Sequence, residues 1–520
     1  MILSFRKAVL LFAGLALLCS SPVLAQEVTL RSANGAITLK GQLLRYNGET
    51  YRIKTRFGPL TLDALGVTCT GPSCPDPAEY AADITLSGAA LAVQNLLPGL
   101  VEDFSFINGL SAIRNDQPAQ SWTYFISDRA RIPVARLQAT SNSARKAFRD
   151  IIAKRSDIIV STRPPRKAEV AAAKKARIGD LSSRFRQQIL ALDAIVLLVS
   201  PDNPVTSLTM EQIRDIFSGR ITNWSQVGGL NAAITVFGMA PKTAFSRHFN
   251  SVFFPKGTKD KPLKIRYFKT ERAMSTAILK DPLAIGFTGF SGIRNARALA
   301  IRGGCGILQR PSSFALQSGD YPLSWVYYLF TPARRLPRFA RDFLAYLRGT
   351  RAQQTISDLG FVGLQMVPTP LSAQQDRLSN AIAYAGDQGT LKNLKNFVET
   401  LRGSGRLPAT FRFQDNATRV DRRSSRNIST LAQMLDEGDF DGRELIFAGF
   451  SDFNGSASGN QRIAKNRADR VSALVRARAV RANLSKVTFR SIGFGEVSPL
   501  ACNDTDQGRS TNRRVEVWVR

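Results

Sequence analysis

"GFSDFNGSASGNQRIAKNRADRV", residues Gly449 to Val471, holds a strand end, a glycine-rich turn and the start of a helix in one run. Leu445, Phe447 and Gly449 mark a strand that stops at Phe450, so Asp452 leaves from its carboxyl end. In the helix that follows, Ala464, Ala468, Val471 and Val475 recur at i, i+4, i+7 and i+11 and predict a buried stripe. Arg467 lies about 100° round from Ala468, at the border of that stripe, where a scaffold holds its guanidinium without closing it off from water. One carboxylate and one guanidinium therefore flank the turn. Two readings stay open on spacing alone. One is a surface ion pair, worth roughly 0 to 1 kcal/mol. The other is a recognition pair in which Asp452 takes an ammonium and Arg467 a carboxylate of one zwitterionic ligand.

Outward from this stretch, residues 408–520 continue with strand "TFRFQ", helix "RRSSRNISTLAQMLDEG" and strands "KVTFRSIGF" and "RRVEVWV", which predict a compact α/β sheet with helices on one face. Residues 371–407, helical pieces interrupted by Gly386 and Gly389 and closed by Gly403 and Gly405, read as a helical linker. Residues 79–370 alternate apolar runs such as "SDIIVST", "ALDAIVLLVS" and "LAIGFTGF" with helical segments such as "TMEQIRDIFSG". That alternation predicts α/β architecture with largely parallel pairing, and places ligands beyond the carboxyl ends of the strands. Residues 26–78 alternate apolar and polar positions between NG and FG turns and predict a small β module.

At the front, Arg6 and Lys7, an apolar run from Ala8 to Leu18 and the "VLA" ending at Ala25 have the layout of an export signal over residues 1–25. Export places the cysteines in an oxidising compartment. Cys69-TGPS-Cys74 then reads as a short disulfide loop, whereas Cys305 and Cys502 either pair with each other or remain thiols. A zinc site is disfavoured because His248 is the single histidine and no second close cysteine pair exists. "DEGDFDG", residues 436–442, lacks the spacing of a calcium loop. The formal net charge of +31 is scattered along the chain rather than clustered. It reads as a cationic surface facing anionic envelope polymers, not as a nucleic-acid footprint. No nucleophilic triad, phosphate-binding P-loop or metalloprotease helix appears, so an enzyme is not expected, nor a cofactor or a metal.

The ordered set "GFSD", "IAKNRADRV", "GFGEVSP" and "NDTDQGRSTNRRVEVWV" resembles the OmpA-like peptidoglycan-binding domain over about 110 residues. The resemblance implies that Asp452 and Arg467 hold the diaminopimelate of the wall's stem peptide. Asn460 and the run Asn512–Arg513–Arg514 also fall on motif positions with a structural duty, and Asn460 joins Asp452 and Arg467 in the peptidoglycan-binding set that the resemblance implies. Phe450 stands where histidine is frequent, and Ile463-Ala464 replaces the usual Leu-Ser.

In the middle region, "LTMEQIRDIFSGRITNWSQVGG" and "SDIIVSTRPP", with "ALDAIVLLVSPDNPV" between them, resemble the periplasmic phosphate-binding proteins of ABC importers. The resemblance implies a two-lobed type II periplasmic binding protein fold with "ALDAIVLLVS" near the crossing between lobes. It also implies an anion site from Ser87, Gly88, Ser161, Thr162, Arg163 and Thr243. Ala89, Ala90 and Ala244-Phe245 replace polar residues usual in that family, and Trp325 stands where a basic residue is frequent. Each lost hydroxyl removes a donor from a buried anion, at about 1 to 3 kcal/mol.

Two functions follow as expectations. The first is a non-enzymatic envelope protein, located in the periplasm and associated with the cell wall or outer membrane. It is anchored to peptidoglycan and binds phosphate or a related anion, with an ABC permease as partner if it serves import. The second is a structural or adhesive envelope protein whose binding-protein fold has lost its ligand.

Overall fold

The computed structural model describes residues 27–76, 80–118, 120–183, 185–241, 243–255, 263, 265–383, 388–413 and 422–520. The segment read as an export signal lies outside the described residues. The chain divides into two compact units, Met1–Ala82 with Ile132–Val134, and Asp83–Arg131 with Ala135–Arg520.

In the first unit the period-2 pattern builds a five-stranded antiparallel sheet, ordered Gly58–Asp63, Thr50–Thr55, Thr38–Tyr46, Glu27–Ser32, Val67–Thr70. Val28, Leu30, Tyr51 and Ile53 form its buried face. Gly58 takes φ +102°, the conformation its tight turn requires. Cys69 and Cys74 are disulfide-bonded.

The second unit is organised by the strand Gln187–Val199, buried without interruption from Leu190 to Val199. A strand covered on both faces reads as a continuous apolar run rather than an alternating one. Its first half pairs antiparallel with Ser324–Phe330 and its second half with Ala284–Gly289. One strand thus belongs to two lobes, joining them in an 11-stranded sheet. One lobe continues through Ile158–Ser161 and Ala82–Gly88; the other continues through Thr235–Met239 and Arg266–Phe268. Pairing is parallel between Ile158–Ser161 and Ala82–Gly88 and along Ala284–Gly289, Thr235–Met239 and Arg266–Phe268, but antiparallel along the crossing strand and between Ser111–Gln117 and Ser121–Ser127 at the far edge. The expectation of largely parallel pairing is corrected to this extent. Ser324–Phe330 returns from the far lobe and runs opposite to the strand it meets.

The C-terminal sheet is ordered Thr369–Pro370, Gly405–Arg412, Arg514–Val519, Glu444–Phe450, Thr488–Gly493. Leu445 and Phe447 face one side, with Leu431, Ala468, Val471 and Val475 from the helices Arg422–Glu437 and Ala457–Arg478. Ile446, Ala448 and Phe450 face the other, against Leu394, Phe397 and Leu401. Residues 371–407 are therefore not a free linker, and the sheet is covered on both faces. Because the strand is apolar on both sides, the helices Gln375–Ala383 and Gln388–Leu401 are needed to cover the second one.

This sheet and the two-lobed body are also fastened to each other. Cys305 and Cys502 form a disulfide across 197 residues. Asp320 receives Arg406 Nη1 and Arg412 Nη2, each at 2.9 Å. Arg412 further donates to the carbonyls of Ser318 and Gly319, both at 3.0 Å. Behind them Glu516, completely buried, accepts from Arg514 Nε at 2.6 Å and Arg377 Nη1 at 2.8 Å. Burial alone would raise the Glu516 pKa, but Arg377, Arg406 and Arg514 outweigh it and hold the group well below the usual carboxylate range. Among the described residues no helix is long and apolar enough to cross a membrane.

Candidate functional site

The strand Glu444–Phe450 delivers the chain to a tight turn, and the helix after it is pressed onto the strand. A Cβ at Gly449 would lie 1.9 Å from the carbonyl oxygen of Ala464, so only glycine fits. The Ser456 side chain caps the helix by accepting from Gly459 N at 3.2 Å. In the turn, Asp452 is 7% exposed, and its Oδ2 receives Arg513 Nη1 at 2.6 Å. Asn460, at the first turn of the helix, and Ser451 are both buried. Asn460 Nδ2 and Ser451 Oγ have no hydrogen-bond partner among the described residues. Buried polar atoms left without partners are uncommon and mark a place where a ligand or water completes the network. Arg467 is half-buried, its guanidinium 5.5 Å from the centre of the Phe413 ring.

Asp452 has Arg513 as its ionic partner, and Arg467, expected to act with it, lies against Phe413. Sequence reading gave Arg513 a structural duty only. What brings it here is register: Phe450 pairs with Arg514, so Arg513 stands opposite the turn that leaves Phe450. The pairing of distant strands carries that signal, and local spacing does not.

In the two-lobed body, parallel register sets Ile159 beside Ser87 and Val160 beside Gly88, bringing Ser87, Gly88, Ser161, Thr162 and Arg163 to neighbouring strand ends. Ser87 Oγ donates to Asp150 Oδ2 at 3.1 Å. Ser161 Oγ donates to the Arg163 carbonyl at 2.8 Å. Arg163 is held in a two-point contact by Glu169, at 2.8 and 2.7 Å, and donates to the Pro164 carbonyl at 2.9 Å. Thr162 is exposed. Thr243 belongs to the other lobe, where it caps the helix Ala244–Phe253, accepting from Ser246 N at 3.2 Å and donating to the Ala240 carbonyl at 2.8 Å.

Sequence reading missed an acidic pair at the lobe crossing. Asp193, on the crossing strand, is completely buried and accepts from Ala194 N at 2.8 Å and Phe290 N at 2.9 Å. Burial, reinforced by nearby Glu271, pushes its pKa up to about 8. Glu271 is raised by burial as well. Close by in the fold, Trp325 packs edge-on against Phe245 and His248, and burial lowers the His248 pKa. Among the described residues no group of three or more His, Cys, Asp or Glu side chains is arranged to hold a metal ion.

A two-lobed body built on one crossing strand, joined to an α/β sheet that ends in a buried polar turn, has the architecture of a binding protein. The profile of the PBP superfamily domain matches residues 125–350, and that of the OmpA family matches residues 412–513. The chain belongs to the OmpA family through its C-terminal domain, which follows a phosphate-binding-protein-like domain of the PBP superfamily. Both are non-enzymatic families, and the chain is a cell-envelope protein. The phosphate-binding protein PstS of Staphylococcus saprophyticus is 23% identical over 243 residues, covering 45% of this chain and 73% of that protein. The outer-membrane lipoprotein YfiB of Pseudomonas aeruginosa is 31% identical over 166 residues, covering 31% of this chain and 86% of that protein. The crystal structure of an ABC-type phosphate transport receptor from Vibrio cholerae aligns with a TM-score of 0.41 at 20% identity, over 54% of this chain and 99% of that one. Of the phosphate-binding relatives from Staphylococcus saprophyticus and Bacillus subtilis, the chain spans 73% and 56% of the length.

Proposed function

We propose that the protein is a wall-anchored envelope protein whose C-terminal domain grips the diaminopimelate centre of the peptidoglycan stem peptide. The observation that carries this reading is the buried turn: a carboxylate, Asp452, with a guanidinium on it, and in the same turn and helix start Ser451 Oγ and Asn460 Nδ2, buried with no partner among the described residues. In this reading Asp452 accepts the ligand's ammonium, and Arg467, half-buried on the adjoining helix, takes its carboxylate. Two relatives of the C-terminal domain are named as outer-membrane proteins, which supports a periplasmic address close to that membrane. The test is co-sedimentation with purified sacculi. Asp452→Ala and Arg467→Ala should each remove about 1.5 to 3 kcal/mol, more than tenfold in affinity. Retention equal to wild type in both variants rejects the anchor.

For the two-lobed body, the reading as a phosphate binder delivering to an ABC permease stands against that of a scaffold whose fold has lost its ligand. The engagement of Arg163 with Glu169 and of Ser161 with the Arg163 carbonyl favours the scaffold, because these donors already have partners. Isothermal titration with phosphate separates the two. Saturable heat that weakens on Arg163→Ala supports the binder, and absence of heat supports the scaffold.

A further inference from the structure

The wall-anchoring reading is the ground on which this inference rests. Arg513 meets Asp452 with its guanidinium, and its chain neighbour fixes it from behind. Asn512 is 1% exposed, and both ends of its amide are committed to one loop. Its Oδ1 accepts from Leu500 N at 2.8 Å and Ala501 N at 3.2 Å; its Nδ2 donates to the Ala501 carbonyl at 2.7 Å and to Asn503 Oδ1 at 3.1 Å. Arg514 Nη2 holds the same loop at the Ser498 carbonyl, 2.9 Å away. Within that loop stands Cys502, whose partner Cys305 lies between the paired strands Ala300–Arg302 and Leu308–Gln309 of the two-lobed body. The short helix Asp506–Asn512 also closes on the loop, since a Cβ at Gly508 would lie 1.8 Å from the Cys502 carbonyl oxygen. A covalent bond, a four-bond amide clasp and one peptide unit therefore lead from the binding-protein body to the guanidinium on Asp452.

We infer that Cys305 and Cys502, acting through Asn512, are positioning residues for the wall site, so that the phosphate-binding-like body holds Arg513 in register with Asp452. Recognition of a zwitterionic centre needs its charged groups fixed to within about 0.5 Å. A loop anchored at both ends supplies that, and a loop released at Cys502 relaxes around the Asn512 clasp. Reciprocity follows from linkage: if the bond strengthens ligand binding, bound ligand makes the bond harder to reduce by the same factor.

The experiment uses the full chain with Cys19→Ser, Cys69→Ser and Cys74→Ser, which leaves Cys305–Cys502 as the bond under test. The probe is the soluble tripeptide L-alanyl-γ-D-glutamyl-meso-diaminopimelate, titrated calorimetrically before and after reduction by dithiothreitol. Dithiothreitol delivers two electrons and two protons, leaves two thiols and ends as its cyclic disulfide; oxidised glutathione then takes the two electrons and two protons back and leaves as two glutathione thiols. Reduction should weaken binding about tenfold, and reoxidation should restore it. Saturating tripeptide should lower the reduction potential of the bond by about 30 mV, the same tenfold converted for a two-electron couple. Equal affinity in both redox states, with tripeptide binding intact, overturns the inference and leaves the anchor standing. Failure of the oxidised protein to bind the tripeptide, with Asp452→Ala no different, overturns the anchor and the inference together. Should the reduced form unfold, Asn512→Ala with the bond intact replaces it. Several-fold weaker binding there supports the positioning role, and unchanged affinity overturns it.

Discussion

Glu516→Gln exchanges one oxygen for nitrogen and withdraws one negative charge from the interior of the C-terminal sheet, with almost no change in volume. Three guanidinium groups surround the carboxylate: Arg514 Nε at 2.6 Å, Arg377 Nη1 at 2.8 Å and Arg406 Nε at 3.3 Å. After the change Arg406 keeps Asp320, while Arg377 and Arg514 retain no contacting carboxylate among the described residues. Burial already pushes both of these arginines down from their ordinary pKa, and Glu516 is the main group opposing it. Removing one partner of a buried ion pair costs about 3 to 5 kcal/mol, far above the range for exposed pairs. The assay is native-state hydrogen exchange, followed by mass spectrometry on peptides from Arg514–Val519, because a chain with two compact units need not unfold in one step. Protection there should fall by roughly two to nearly four orders of magnitude. Lys465→Ala, which breaks the exposed Lys465–Asp469 pair, is the control and should shift protection by less than about 1 kcal/mol. A Glu516→Gln effect no larger than the control refutes the reasoning, since it would mean that water screens the cluster.

Three further outcomes are expected. Asp193 keeps its proton in the folded chain up to about pH 8, whereas the unfolded carboxyl loses it near 3.8, so the native state binds more protons between those values. This group's contribution is full below pH 3.8 and falls as pH rises toward 8. Asp193→Asn should therefore narrow the difference in melting temperature between pH 5 and pH 8; an unchanged difference counts against it. Gly449→Ala forces a methyl to within 1.9 Å of the Ala464 carbonyl oxygen and should lower stability by more than about 3 kcal/mol, read from loss of protection in Glu444–Phe450. Protection equal to wild type would show that the helix yields freely. Cys69→Ser opens a loop of sequence separation 5 and should lower the unfolding free energy of the N-terminal sheet by about 2 kcal/mol in urea titration. No loss there would mean that the turn is held without the bond.

Much of the fold was legible because its signals are local. The stripe Ala464, Ala468, Val471 and Val475 is completely buried, and the strand before it ends at Phe450 as its pattern predicts. The short cysteine loop and the alternating β module belong to the same class of signal. Signals that depend on distant partners were not legible. Residues 371–407 read as a connector because their amphipathic face finds its counterpart in Ile446, Ala448 and Trp518, far along the chain. The Cys305–Cys502 bond stayed open for the same reason. At the wall candidate, the positions of Asp452 and Asn460 followed from the motif, whereas the Arg513 contact required strand register. Asp193 looked like one polar residue in an apolar run. Its carboxyl becomes informative only where two lobes meet over it.

The crossing strand has a mechanical consequence. Because one continuous ribbon from Gln187 to Val199 carries ladder hydrogen bonds of both lobes, turning one lobe against the other has to twist that ribbon. Relative movement has to be taken up as torsion spread along that ribbon, small at every peptide and amplified only at the outer rims. A torsion bar of this kind couples the lobes, so a twist imposed on the ladder of one is carried into the ladder of the other.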